Sequence, residues 1–194
     1  MAVNLPINDK AALRAMMRQR RRGLAADDAS AAERAAQVLP DALVGRFAVV
    51  GGYHAQGAEL DPSIVLERLA DGGAAIAMPV AFPNAPLEFR LLRPGDTQEP
   101  DAFGIPSPPS LAPQVFPSLI ITPVLAFDRR GGRLGQGGGH YDRTLAALRA
   151  AGPVFVLGLA YAGQEVAAAP ADVHDQPLDA ILTENGYIGV RKDI

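Results

Sequence analysis

Five short apolar runs, separated by stretches of helical spacing, constrain the fold of this sequence more than any other feature. They occupy residues 47–51, 74–78, 119–122, 154–159 and 180–183, which is the length of buried strands rather than of helices. Residues 9–24 carry Leu13, Met16 and Met17 at helical spacing among basic residues. A second helix is expected from Ser30, which with Glu33 has the form of a capping box. Asp61-Pro62 supplies an N-cap and first turn for a helix to about Leu69, stopped by Gly72-Gly73, and residues 141–151 form another that ends at Gly152-Pro153. This alternation predicts an α/β fold: one domain over residues 1–194, with a largely parallel sheet and helices on both faces. In such sheets ligands sit beyond the carboxyl ends of the strands. Residues 87–92 alternate weakly and suit an antiparallel strand, whereas residues 94–117 hold seven prolines and read as an ordered surface loop.

Composition narrows the chemistry. Hydrophobic residues make up 48% of the chain but aromatic ones only 6%, so the core must be built mainly from Ala, Val, Leu and Ile. A formal net charge of -3 argues against a dedicated nucleic-acid partner. There are no cysteines, which excludes disulfides, thiolate nucleophiles and cysteine-ligated metals together. The three histidines, His54, His140 and His174, are far apart and outside any His-Glu-x-x-His pattern, so a hard cation held by oxygens fits better than zinc. No apolar stretch reaches the roughly 18 residues of a membrane span. The first ten residues, MAVNLPINDK, lack the apolar region of a signal peptide. The expectation is a cytoplasmic protein without a membrane partner.

The run Arg133-Leu134-Gly135-Gln136-Gly137-Gly138-Gly139-His140-Tyr141-Asp142 places backbone amides, a cation and a carboxylate in one short loop before a helix. Glycine lets the main chain approach a ligand and adopt φ > 0, and a helix N-terminus attracts phosphate. The loop is not a Walker A motif, because His140-Tyr141 follow Gly139 in place of Gly-Lys-Ser/Thr. It is not a dinucleotide fingerprint either, since His140 stands where the last glycine belongs. A ligand-free glycine hinge is the alternative. Asp142 either caps the helix or holds a cation shared with phosphates.

Other residues divide between structural and functional readings. Lys10, Arg14, Arg18 and Arg21 share one helix face, which is either solvated or reaches bound phosphate through its leading pair. Asp61 is most simply an N-cap, while Glu59 has no such structural task and is the better group to hydrogen-bond a heterocycle. His54 either lines the same pocket or lies on the surface. Asp175 and Asp179 are loop carboxylates among prolines, suited to turns or to a metal.

The string PVLAFDRRGGRLGQGGGHYDRTL resembles the signature of the 5-formyltetrahydrofolate cyclo-ligases. The resemblance extends to Lys10-x-x-x-Arg14, to Glu59-x-Asp61 and to the closing HDQPLDAILTE, so it spans nearly the whole chain. It implies a single α/β domain similar to sugar-phosphate isomerases and CoA transferases, acting as a monomer on two small molecules. The implied reaction is ATP- and Mg2+-dependent closure of 5-formyltetrahydrofolate to 5,10-methenyltetrahydrofolate. By resemblance Lys10, Arg14 and the loop Arg133, Leu134, Gly135, Gln136, Gly137, Gly138, Gly139, His140 and Tyr141 match ATP-binding positions. Gln136 to His140 also match folate contacts, as do His54 and Glu59, and Asp142 and Asp175 match magnesium ligands. Transition-state charge would fall to Arg133, Lys10 and Arg14, with no dedicated proton-transfer residue. The chain departs from the family pattern at His140, where a tyrosine is usual, at Ser107, where a glutamate is, and at Thr122-Pro123 in place of Val-Pro. A phosphosugar isomerase or CoA transferase of the same fold, or a non-catalytic nucleotide or folate sensor, are the other readings.

Overall fold

The computed structural model describes residues 9–190. The two ends of the expected 1–194 domain, including residues 1–8 of the segment read as free of a signal peptide, lie outside the described residues. Helices α1 (Lys10–Asp27) and α2 (Ala31–Gln37) come first, then β1 (Val49–Gly51), α3 (Ser63–Asp71), β2 (Ala75–Val80) and β3 (Glu88–Leu91). The proline-rich stretch contributes β4 (Glu99–Pro100), β5 (Pro106–Ser107) and β6 (Gln114–Val115). Then follow β7 (Leu119–Pro123), β8 (Ala126–Phe127), β9 (Arg133–Leu134), α4 (His140–Ala151), β10 (Phe155–Leu159), β11 (Ala180–Thr183) and β12 (Gly186–Gly189).

Eight strands form one sheet in the order β12-β11-β10-β7-β1-β2-β3-β6. The five apolar runs are its parallel centre, β11, β10, β7, β1 and β2. The remaining pairings, β12 on one side and β3 with β6 on the other, are antiparallel. Alternation along each central strand divides the core between two faces. Leu119 and Ile121 of β7, Leu157 and Leu159 of β10, and Ala180 and Leu182 of β11 pack with Ala35 of α2 and Leu69 of α3. Ile120, Val156 and Ile181, each adjacent in sequence to one of these and facing the other way, pack instead with Leu145 of α4. Helices therefore cover both faces, as expected. Ile120 and Ile121 are fully buried, each stabilising the fold by roughly 1.5–3 kcal/mol relative to exposure.

Four local expectations change. Ser30 makes no side-chain cap for α2. Its hydroxyl instead donates to Asp28 Oδ1 at 3.2 Å and accepts from Arg34 at 2.7 Å, because a nearby ion pair captures it. The N-cap of α3 is Pro62 rather than Asp61, whose carboxylate accepts from the Ser63 amide at 2.8 Å from one position earlier. The run through residues 123–127 does not continue as one strand: after β7 the chain leaves the sheet, and β8 pairs with β9 as a separate antiparallel ribbon. The proline-rich stretch is more regular than a loop, with β4 and β5 paired and β6 extending the main sheet.

That ribbon determines where α1 lies. Asp9 accepts from the amides of Ala11 and Ala12 at 2.9 and 3.0 Å, starting the helix. Met17, wholly buried, then packs with Leu13 and Met16 against Leu125, Ala126 and Leu134. The helix is thereby held over the carboxyl end of β7, with its basic face toward the glycine loop.

Candidate active site

A cavity of about 430 Å³ opens at the carboxyl ends of β1, β2 and β7, where the residues following each strand, Tyr53 and His54, Ala81, and Val124 and Leu125, form its walls. The glycine loop closes a further side. Apart from Asp179, the residues that sequence reasoning singled out for the site line this one cavity: Lys10, Arg14, His54, Glu59, Arg133 to Tyr141, Asp142 and Asp175. Ser107 and Thr122 do not. The Ser107 hydroxyl donates to Glu99 O at 2.9 Å within the β4–β5 ribbon, and Thr122 is fully buried in β7.

The loop is held by guanidinium groups that grip its carbonyls. Arg14 Nε donates to Gly135 O at 3.0 Å, Arg18 Nη2 to Gln136 O at 3.4 Å and Arg143 Nη2 to Gly138 O at 2.9 Å. Gly137 and Gly139 take φ of 107° and 67°, backbone that residues with a Cβ rarely adopt. His140 Nε2 lies 3.2 Å from Phe82 O, and its ring meets Phe103 edge-on at 5.4 Å, so the histidine joins the loop to the proline-rich wall.

Arg133 lies at the centre of the polar end. Its side chain is 4% exposed. Nη2 donates to Asp142 Oδ1 at 2.5 Å and Nε to Gln176 O at 3.0 Å. Burial pushes its pKa down from the ordinary arginine value, opposed by Asp142 and Asp175, and a guanidinium has margin enough to stay charged. Asp142, in the first turn of α4, does not cap that helix: Oδ1 is taken by Arg133 and by the amide of Gln176 at 3.0 Å. Lys10 reaches across from α1 to Asp172 at 2.5 Å and Asp175 at 2.8 Å. Burial acts to raise the Asp175 pKa, but hydrogen bonds from Lys10 and the Asp172 amide override it and hold the carboxyl below its ordinary value.

Magnesium is usually held by one or two carboxylates together with substrate phosphates and water. Asp142 and Asp175 fit that pattern, since among the described residues the second oxygen of each takes no protein hydrogen bond. No group of three or more candidate ligands is present among those residues, so a partner anion would complete the coordination. Asp179 belongs elsewhere: it is 1% exposed and accepts from the Val156 amide at 2.8 Å and from Arg149 at 3.1 Å.

At the opposite end, Glu59 does have structural partners, contrary to expectation. Its Oε1 accepts from Arg21 Nη1 at 3.3 Å and its Oε2 from the Gln56 amide at 3.0 Å. The Tyr53 hydroxyl donates to Leu60 O beside it. Sequence reasoning assigned no site role to Arg21, Gln56, Asp101 or Asp172, which also line the cavity. For Arg21 the available signal was its place on the same helical face as Lys10 and Arg14.

Comparison with known proteins bears on the family and the fold. Residues 6–184 match the model of the 5-formyltetrahydrofolate cyclo-ligase family. A 5-formyltetrahydrofolate cyclo-ligase of Escherichia coli is 33% identical over 181 residues, 87% of this chain and 96% of that one. Its counterpart in Mycolicibacterium smegmatis is 34% identical over 152 residues, 73% of this chain and 77% of the relative. The fold matches that of the 5,10-methenyltetrahydrofolate synthetase of Aquifex aeolicus, with a TM-score of 0.74 at 24% identity over 95% of this chain and 94% of the other. The synthetase of Mycoplasma pneumoniae gives 0.67 at 23% identity, over 91% and 99%.

Proposed function

The chain belongs to the 5-formyltetrahydrofolate cyclo-ligase family, and on that premise we propose that it closes 5-formyltetrahydrofolate to 5,10-methenyltetrahydrofolate at the expense of MgATP, releasing ADP and phosphate. One observation supports this most: the cations, glycine amides, carboxylates and Glu59 matched to the two substrates all line a single cavity. A phosphate-rich molecule suits the Arg133 end and a heterocycle the Glu59 end.

The formyl carbon is a weak electrophile, because the nitrogen that bears it donates its lone pair into the carbonyl, and the formyl oxygen is in addition a poor leaving group. Transfer of the γ-phosphoryl group from ATP to that oxygen makes it a good one. The neighbouring secondary amine of the folate then attacks the formyl carbon, phosphate departs, and the amine proton is released as the bridge between the two nitrogens forms. Such a transfer requires alignment and charge neutralisation more than covalent help from the protein. Arg133, buried and fixed by Asp142 and Gln176 O, presents a cation that does not have to reorganise. Lys10 and Arg14 add positive charge from α1, and the loop amides from Gly135 to Gly139 are donors to phosphate oxygens. Magnesium, when bound, would neutralise phosphate charge, with Asp142 and Asp175 as its protein ligands. No side chain is assigned to proton transfer.

The test follows formation of methenyltetrahydrofolate by its absorbance, with purified protein, 5-formyltetrahydrofolate and MgATP. Folded protein that yields neither this product nor folate-dependent ADP would refute the proposal. Asp142→Asn keeps an oxygen for Arg133 but loses the ligand charge. It should raise the magnesium concentration needed for half-maximal rate by roughly tenfold or more, and an unaltered magnesium dependence would remove Asp142 from the metal site.

A further inference from the structure

Glu59 does not stand alone at its end of the cavity. The Arg21 and Glu59 side chains are each 8% exposed, and both line the cavity. Arg21 Nη1 meets Glu59 Oε1 at 3.3 Å, while Arg21 Nε is buried without a hydrogen-bond partner. This is a poor arrangement for stability alone. A buried ion pair recovers its desolvation cost only with short contacts and all donors satisfied, whereas charge-assisted bonds are typically about 2.7–2.9 Å. A guanidinium buried so incompletely satisfied is better explained by what it does to Glu59.

Its position on α1 says what that is. Lys10, Arg14 and Arg21 all line the same cavity. The first and last are eleven positions apart in one continuous helix, which at 1.5 Å per residue is roughly 16 Å. The helix thus contacts the carboxylates at one end through Lys10 and the Glu59 loop at the other through Arg21. Glu59 is fixed from two sides, by Arg21 on Oε1 and by the Gln56 amide on Oε2. Its remaining acceptor capacity faces the cavity.

We infer that Arg21 is a positioning residue for the heterocycle of the folate substrate: it holds Glu59 in the orientation that accepts the heterocycle's N–H groups, and acts on nothing at the nucleotide end. This rests on the folate reading of the cavity given above.

The experiment measures steady-state kinetics of Arg21→Met, Glu59→Gln and the double substitution, varying 5-formyltetrahydrofolate and MgATP separately. Arg21→Met should raise KM for 5-formyltetrahydrofolate roughly 10- to 100-fold, the loss expected when a charge-assisted contact is misaligned. KM for MgATP and kcat should change by less than about threefold. The double variant should have a folate KM within about threefold of Glu59→Gln alone, because Arg21 acts through Glu59. An unchanged folate KM, an equal rise in both KM values, or additive effects in the double variant would overturn the inference. If Arg21→Met is recovered unfolded, the double variant decides, since it removes both buried charges together; a folate KM well above that of Glu59→Gln counts against the inference. Wild-type protein inactive on 5-formyltetrahydrofolate would instead refute the functional reading on which the inference stands.

Discussion

Gly137 shows how one residue ties backbone conformation to ligand binding. Its φ of +107° is strained for any residue with a Cβ, and a Cβ there would lie 3.4 Å from Arg14 Cζ. Contact at that distance is ordinary, so Gly137→Ala acts through the backbone of the loop whose Gly135 O the Arg14 guanidinium grips, at a cost of about 1–3 kcal/mol. KM for MgATP should rise about tenfold, as a loss of that size implies, and more than KM for the folate. Gly95 has a φ of +88° with nothing within 4 Å of its would-be Cβ. Gly95→Ala should lower the thermal midpoint while leaving both KM values unchanged; equal kinetic effects in the two variants would show that general strain, not loop geometry, is responsible. The glycine pattern was legible in the sequence because positive φ is a local requirement. Arg21 was not, because its burial is decided by where Glu59 lies, 38 positions away, and a basic residue on a helix face has the same local signature whether it faces solvent or a cavity.

At the scale of elements, the β8–β9 ribbon delivers Arg133 and the loop, and its turn depends on Asp128. This carboxylate, 3% exposed, accepts from the amides of Arg130 at 2.8 Å, Gly132 at 3.1 Å and Ala169 at 2.8 Å. Asp128→Asn brings an amide donor to face at least one of these N–H groups, leaving a buried donor unmatched. A loss of about 2 kcal/mol in denaturant unfolding is expected, with kcat reduced through displaced Arg133. Full stability with full activity would show that the turn is held by its backbone bonds alone. The ribbon escaped sequence reasoning because two-residue strands carry no periodicity. The same holds for β4, β5 and β6, hidden among prolines, and β12 was missed although its partner β11 was placed at 180–183, the residues it occupies. The parallel strands were readable because burial on both faces demands a continuous apolar run. Caps were less so: Ser30 has the right neighbours for a capping box, yet Asp28 and Arg34 compete for its hydroxyl.

For the molecule as a whole, the buried phenol of Tyr53 in the cavity wall ties stability to alkaline pH. Tyr53 is 4% exposed and donates its hydroxyl proton to Leu60 O. Burial raises its pKa well above the ordinary 10.0, and nearby Glu59 adds to the shift. Burial likewise raises that of Tyr141 in α4, which lines the same cavity and also feels the Glu59 charge. A group whose folded pKa exceeds its unfolded value contributes stability that is fully present below the unfolded pKa and is lost as pH rises toward the folded one. The window thus opens at pH 10. Above it the unfolded chain releases a proton that the folded chain retains, costing about 1.4 kcal/mol per pH unit for Tyr53. Thermal unfolding followed across pH 8 to 12 should therefore steepen above pH 10, and Tyr53→Phe should flatten the descent by removing one titrating group, at the expense of the Leu60 hydrogen bond at all pH values. An alkaline limb identical in wild type and Tyr53→Phe would show that the Tyr53 phenol ionises alike in both states, and that the Glu59 end of the cavity is wetter than its packing indicates.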